Sequence, residues 1–109
     1  MTAQEIIKSG KNLKISETRN LEDEYSEVVL MNNELEEWNK VLVAQMGQPL
    51  KPTGSKPTKE DLNLTKDFGG IRNDQTLYKR DSEKGFLLAM LWPWQNNTHT
   101  TLKIILINK

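Results

Sequence analysis

The chain has no cysteine and a single histidine, His99, among its 109 residues. Without thiols it forms no disulfide, no thiolate zinc site and no cysteine nucleophile. One imidazole falls short of the set a histidine-based zinc site needs, and it excludes two-histidine catalysis. A Ser-His-Asp triad remains formally possible. However, Ser9, Ser16, Ser26, Ser55 and Ser82 all lack the glycine-flanked setting of a nucleophile elbow. No cofactor is therefore expected. A net charge is missing too, since 15 Lys and Arg balance 15 Asp and Glu. A dedicated nucleic-acid binder usually shows a basic excess, so neutrality weighs against that class. Long apolar runs are also lacking. The longest, 86–94, is far too short to span a bilayer. Residues 1–13 hold only Ile6-Ile7 as an apolar pair, well short of a secretory leader. The expected location is the cytoplasm, with no membrane partner. The triplets Asn63-Leu64-Thr65 and Asn96-Asn97-Thr98 are then chance matches to a glycosylation acceptor.

What is present suffices for one core. The length suits a single domain over 1–109. With 36% hydrophobic and 28% charged residues, the composition is that of a globular chain on the polar side. Thr2-Ala3-Gln4-Glu5 has the form of a capping box, followed by Ile6-Ile7 and stopped by Gly10. The polar stretch 14–24 shows no period and reads as a connection or a weak edge strand. Residues 25–31 are strand-like, with Val28-Val29 at their centre and Asn32-Asn33 at their end. Asn33 is then the expected N-cap of a helix over 34–46, with Glu34, Glu36 and Glu37 in the first turn. Leu35, Trp38, Leu42 and Met46 recur at helical spacing, Val41 widens the stripe, and Gly47 and Pro49 end it. Residues 48–58 carry Pro49, Pro52, Gly54 and Pro57 and read as an internal proline-rich loop. Thr58 is placed to cap a short helix over 59–66, ahead of Gly69-Gly70. A strand over 75–81 and a tight turn at 82–85 lead into the C-terminal fifth.

That fifth, 86–107, reads as one hairpin with apolar residues on both faces. A two-residue turn at Asn96-Asn97 sets Leu87 opposite Leu106, Ala89 opposite Ile104 and Leu91 opposite Leu102. These six form one face, suited to the helix that contains Trp38. Phe86, Leu88, Met90, Trp92 and Trp94 share the other face with Ile107, Ile105, Lys103, Thr101 and His99. Segregated helix and strand signals without βαβ alternation predict an α+β fold. The expected architecture is an antiparallel sheet of about four strands, ending in a three-strand meander, with one main helix on one face.

Several stretches touch on chemistry. The acidic segment 22–24 with Glu27 lacks the ligand spacing and the glycine of a calcium loop, and reads as solvated. Gly54-Ser55-Lys56 superficially resembles a phosphate loop. Its Ser precedes its Lys, the glycine spacing is wrong and prolines remove backbone donors. The least bland loop is 67–75. Its Asp67-Phe68-Gly69 matches a kinase magnesium triplet with nothing else of a kinase around it. After Gly69-Gly70, the residues Arg72, Asn73, Asp74 and Gln75 supply a guanidinium fork, amides and a carboxylate. Such groups suit a phosphate, a carboxylate or a peptide backbone.

The hairpin's second face bears most on function at this stage. An apolar face that large needs a cover, from this chain or another. The leading expectation is a non-enzymatic interaction domain, as a homodimer or with another protein partner, with Phe86, Leu88, Met90, Trp92 and Trp94 as its interface. One alternative is a nucleic-acid-binding module that stacks bases on Tyr78, Trp92 and Trp94 beside Lys79, Arg80 and Lys103. A second alternative is a small-ligand binder or enzyme centred on 67–75, with Arg72, Asn73, Asp74 and Gln75 as contacts.

Overall fold

Near-continuous apolar runs form the central strands of the computed structural model, which describes residues 2–82 and 85–108. Among the described residues there are five strands in one antiparallel sheet. They are β1 (Glu17–Leu21), β2 (Tyr25–Met31), β3 (Thr76–Ser82), β4 (Gly85–Pro93) and β5 (His99–Asn108). Their order is β1-β2-β5-β4-β3, so the C-terminal meander runs side by side and β2 joins it through β5. The polar stretch before β2 supplies the fifth strand as an exposed edge. A register shift between Thr18 and Asn20 and its charged side chains blunt that edge against further pairing.

The β4–β5 register is the one the turn chemistry predicts. Leu87 pairs with Leu106, Ala89 with Ile104 and Leu91 with Leu102. The connection is looser than a two-residue turn. The Trp94 amide donates to the His99 carbonyl at 2.9 Å, leaving residues 95–98 as the loop. Asn97 adopts φ 60°, and the Asn96 Oδ1 accepts from the Thr98 amide at 3.0 Å. Both loops centre on the same pair of residues, so the register is unchanged. Of the turn expected at 82–85, residues 83 and 84 lie outside the described set.

Helix α1 (Ala3–Lys8) begins in a complete capping box between Thr2 and Glu5. It buries Ala3, Ile6 and Ile7, which offsets its short length. Helix α2 (Leu35–Met46) buries Trp38, Leu42 and Met46, the stripe read from the sequence. Its cap differs from expectation. A 3-10 turn over Asn32–Glu34 precedes it, and Asn33 makes no capping hydrogen bond. The cause lies one residue earlier. The Asn32 amide donates to the Thr98 carbonyl, and its Oδ1 accepts from the Thr100 hydroxyl at 2.6 Å. Asn32 is thereby tied to β5, and Asn33 falls inside the 3-10 turn instead of at its extended entrance.

Helix α3 (Lys59–Thr65) opens with a second capping box, Thr58 with Asp61, and runs into a 3-10 turn over Lys66–Phe68. Helices thus lie on both faces of the sheet. On one face α1 and α2 pack against Val28, Leu30, Tyr78, Leu87, Leu91, Leu102 and Ile104. On the other, Ile71, Leu64 and Phe68 pack with Leu77, Leu88, Met90 and Ile105.

This second core corrects the interface expectation for two residues. Leu88 and Met90 are both fully buried by their own chain, so neither has surface to offer a second copy. The cover is the segment from α3 to Ile71, whose helix is too short to announce a docked layer. Phe86, Trp92 and Trp94 remain half-buried. Gly69, at φ 98°, lets the Trp92 ring approach so closely that a Cβ would stand 2.5 Å from its Cη2.

Candidate functional site

The 72–75 turn is built before it is used. The Gln75 amide donates to the Arg72 carbonyl at 3.1 Å, and the Gln75 Oε1 accepts from the Arg72 amide at 2.8 Å. Gln75 is buried, so its amide group closes the turn and faces no ligand. Lys51, from the proline-rich loop, completes the frame. Its Nζ donates to the carbonyls of Gln75 at 2.6 Å, Asn73 at 3.1 Å and Pro52 at 3.1 Å. All three ammonium hydrogens are thereby satisfied. Burial lowers the Lys51 pKa, while the charges of Asp61 and Asp74 act against that shift. Lys51 also exchanges both backbone hydrogen bonds with Leu77, the Gly54 amide donates to the Asn73 carbonyl, and the Thr53 and Thr76 hydroxyls bond each other. The proline-rich loop is therefore stitched to the start of β3.

This stitching uses Gln75 and only the backbone carbonyl of Asn73, whose side chain stays exposed, and it leaves Arg72 and Asp74 outward as well. Their side chains are 75% and 61% exposed and stand 3.9 Å apart, Nε to Oδ1. They line an open basin of about 560 Å³ with Thr53, Pro93, Trp94, Gln95 and Asn97. An inner chamber of about 100 Å³ adjoins it, sharing Thr53, Asp74 and Pro93, and reaching Leu35, Asn39, Thr76, Leu91 and Thr100. The cleft thus runs from the hairpin tip inward beneath the start of α2.

The chamber's polar groups are already engaged. Asn39 Oδ1 accepts from the Tyr78 hydroxyl at 2.6 Å, and its Nδ2 donates to the Leu35 carbonyl at 3.1 Å. Thr53 and Thr76 bond each other, and Thr100 donates to Asn32. Leu35, Leu91 and Pro93 complete a wall that presents mainly carbon. Asp74 is different, its weak pairing with Arg72 being mostly solvated.

Trp94 is held in the basin by three contacts. Its ring stacks on His99 at 4.9 Å, its Nε1 donates to Thr101 at 2.8 Å, and the Arg19 guanidinium lies 5.6 Å from it. His99 in turn has Nδ1 at 2.7 Å from the Thr98 hydroxyl. Among the described residues its hydrogen-bonding neighbours are Thr98 and Asn96, whereas a catalytic triad requires a carboxylate there.

The stacking platform expected from Tyr78, Lys79, Arg80, Trp92 and Trp94 is divided by the sheet. Tyr78 belongs to the core under α2, and Arg80 donates to the Gln45 carbonyl on α2 at 2.7 Å. Lys79 lies over Phe86, and Lys103 lies 3.7 Å from the Trp92 ring centre, both on the opposite face. In the acidic segment, Asp23 accepts from Gln4, and among the described residues no group of His, Asp or Glu is arranged to hold a metal. Two other depressions flank Lys40 on α2, both more open than the chamber.

Arg72 and Asp74, read from the sequence as ligand contacts, and Trp94, read as an interface residue, line one basin. Nothing in the sequence showed that Lys51, Thr53, Asn39, Thr76 and Thr100 would join them around the cleft, because a lysine or threonine in a polar stretch does not reveal a partner far along the chain. Comparison with known proteins finds no matching family, no matching curated protein and no matching solved structure. The site's own geometry therefore carries the functional argument.

Proposed function

We propose that this protein is a non-enzymatic ligand-binding domain acting by recognition, with the cleft between 72–76 and 93–97 as its site. The supporting observation is the juxtaposition of a weakly paired Arg72 and Asp74 with a carbon-walled chamber directly behind them. Pockets that fix a ligand combine apolar walls with a few convergent polar groups in this way. A cytoplasmic site of action belongs to the same proposal. Among the described residues no helix is long and apolar enough to cross a membrane.

The test is an NMR titration of the full chain with a set of small polar and amphiphilic fragments. Shifts are expected at Thr53, Arg72, Asp74, Gln95, Asn97 and the Trp94 indole. Leu35→Phe, which fills the chamber, is expected to remove them. Shifts scattered over the surface, unaffected by that variant, would overturn the reading.

A second reading keeps self-association, through Phe86, Trp92 and Trp94. What favours it is that these three aromatics stay half-exposed while their neighbours on the same face are buried. Sedimentation of the wild type as a monomer at high concentration would end it.

A further inference from the structure

The cleft's two compartments define a ligand more closely than the presence of a pocket does. We infer that it binds a free α-amino acid with a short aliphatic side chain, an inference that rests on the binding reading above. The chamber volume, about 100 Å³, is smaller than the ~150 Å³ that holds a benzene ring, so it suits roughly three or four carbon atoms. Its wall is built for carbon, because Asn39, Thr53, Thr76 and Thr100 are already hydrogen-bonded within the protein. A polar group placed there would exchange water for groups already engaged within the protein, whereas an apolar chain meets Leu35, Leu91 and Pro93.

The charged groups sit in a matching order. Asp74 lines both compartments, whereas Arg72 lines only the outer one. An α-amino acid carries its ammonium, its carboxylate and its side chain on a single carbon. With the side chain in the chamber, the ammonium meets the Asp74 carboxylate at the threshold and the carboxylate meets the Arg72 guanidinium outside. Each contact is a charge-assisted hydrogen bond. The exchange is inexpensive, because the Arg72–Asp74 pair that opens is exposed and 3.9 Å apart. Lys51 is the other cation near Asp74, but its three hydrogens are committed to carbonyls and it does not compete as a donor.

Calorimetry and NMR with L-valine, isobutylamine and isovalerate test the inference. The two comparison compounds keep the branched carbon chain and each lose one charged group. L-Valine is expected to bind at the cleft at least ~10-fold more tightly than either, since each loses one charge-assisted contact. Asp74→Asn should abolish the advantage of L-valine over isovalerate when both are measured on the same variant. Arg72→Gln should likewise abolish its advantage over isobutylamine. Both residues are exposed, and unchanged thermal unfolding of the variants confirms that the fold is intact. Equal binding of valine and either comparison compound overturns the amino-acid class. So does the absence of valine shifts when other fragments still perturb the cleft, which leaves the binding reading standing. If no compound of either set perturbs the cleft, both readings fall.

Discussion

The buried Lys51 ammonium donates to the Gln75 carbonyl at 2.6 Å across 24 positions of sequence. The same nitrogen holds the carbonyls of Asn73 and Pro52, so one side chain joins the proline-rich loop to the turn that carries Arg72 and Asp74. The cleft exists because of this tie.

Lys51→Met should therefore destabilise the fold by about 2–4 kcal/mol, leaving three carbonyls short of a donor. Urea unfolding measures this loss. The pH dependence has a definite sign. Burial lowers the folded-state pKa of Lys51 below its ordinary 10.5, so the unfolded chain holds the proton more tightly. Between the lowered value and 10.5, the contribution of Lys51 to stability rises with pH. Tyr25 and Tyr78 act oppositely, their pKa values being raised, chiefly by burial. Their contribution is complete below pH 10.0 and is lost as pH climbs through their raised values. The difference in stability between wild type and Lys51→Met, followed from pH 8 to 10 in steps of about one unit, isolates the lysine.

Gly69→Ala meets two penalties at once. The backbone sits at φ 98°, and the new Cβ would stand 2.5 Å from the Trp92 ring. A loss of about 2–4 kcal/mol is expected, with a shifted tryptophan emission, because Trp92 must move. Unfolding followed by fluorescence checks both effects in one experiment.

Met90→Glu should unfold the protein instead of merely separating subunits. Met90 is fully buried beneath its own chain, so a carboxylate there is an unpaired buried charge. The cost is on the order of 3–5 kcal/mol. Circular dichroism after expression would show whether a folded monomer survives, and its survival would contradict this packing.

Asn33→Ala should change stability by less than about 0.5 kcal/mol, since Asn33 is exposed and caps nothing. Asn32→Ala, one position earlier, should cost about 1–2 kcal/mol by depriving the Thr100 hydroxyl of its acceptor. Paired urea titrations of the two variants separate a capping role from a strand-anchoring role.

Local order was legible in the residues themselves. Capping at Thr2 and Thr58 depends on contacts three residues apart, and the Trp38–Leu42–Met46 stripe on one helical period. The β4–β5 register follows from a turn only a few residues long, and a two-residue side-chain period places every apolar residue once that register is set. The sequence by itself therefore determined the α+β class, the meander and the face that meets α2. Tertiary structure alone decided what covers Leu88 and Met90, because a seven-residue helix is stable only where it docks. It also decided the site. Arg72 and Asp74 were visible as a charged pair beside glycines. Their chamber, however, comes from Leu35, Thr53, Leu91 and Thr100, brought together from separate elements around Lys51. Nothing in the local chemistry of a lysine between a leucine and a proline distinguishes a solvated charge from a buried one. The distinction arises only when the carbonyls that satisfy it arrive from elsewhere in the chain.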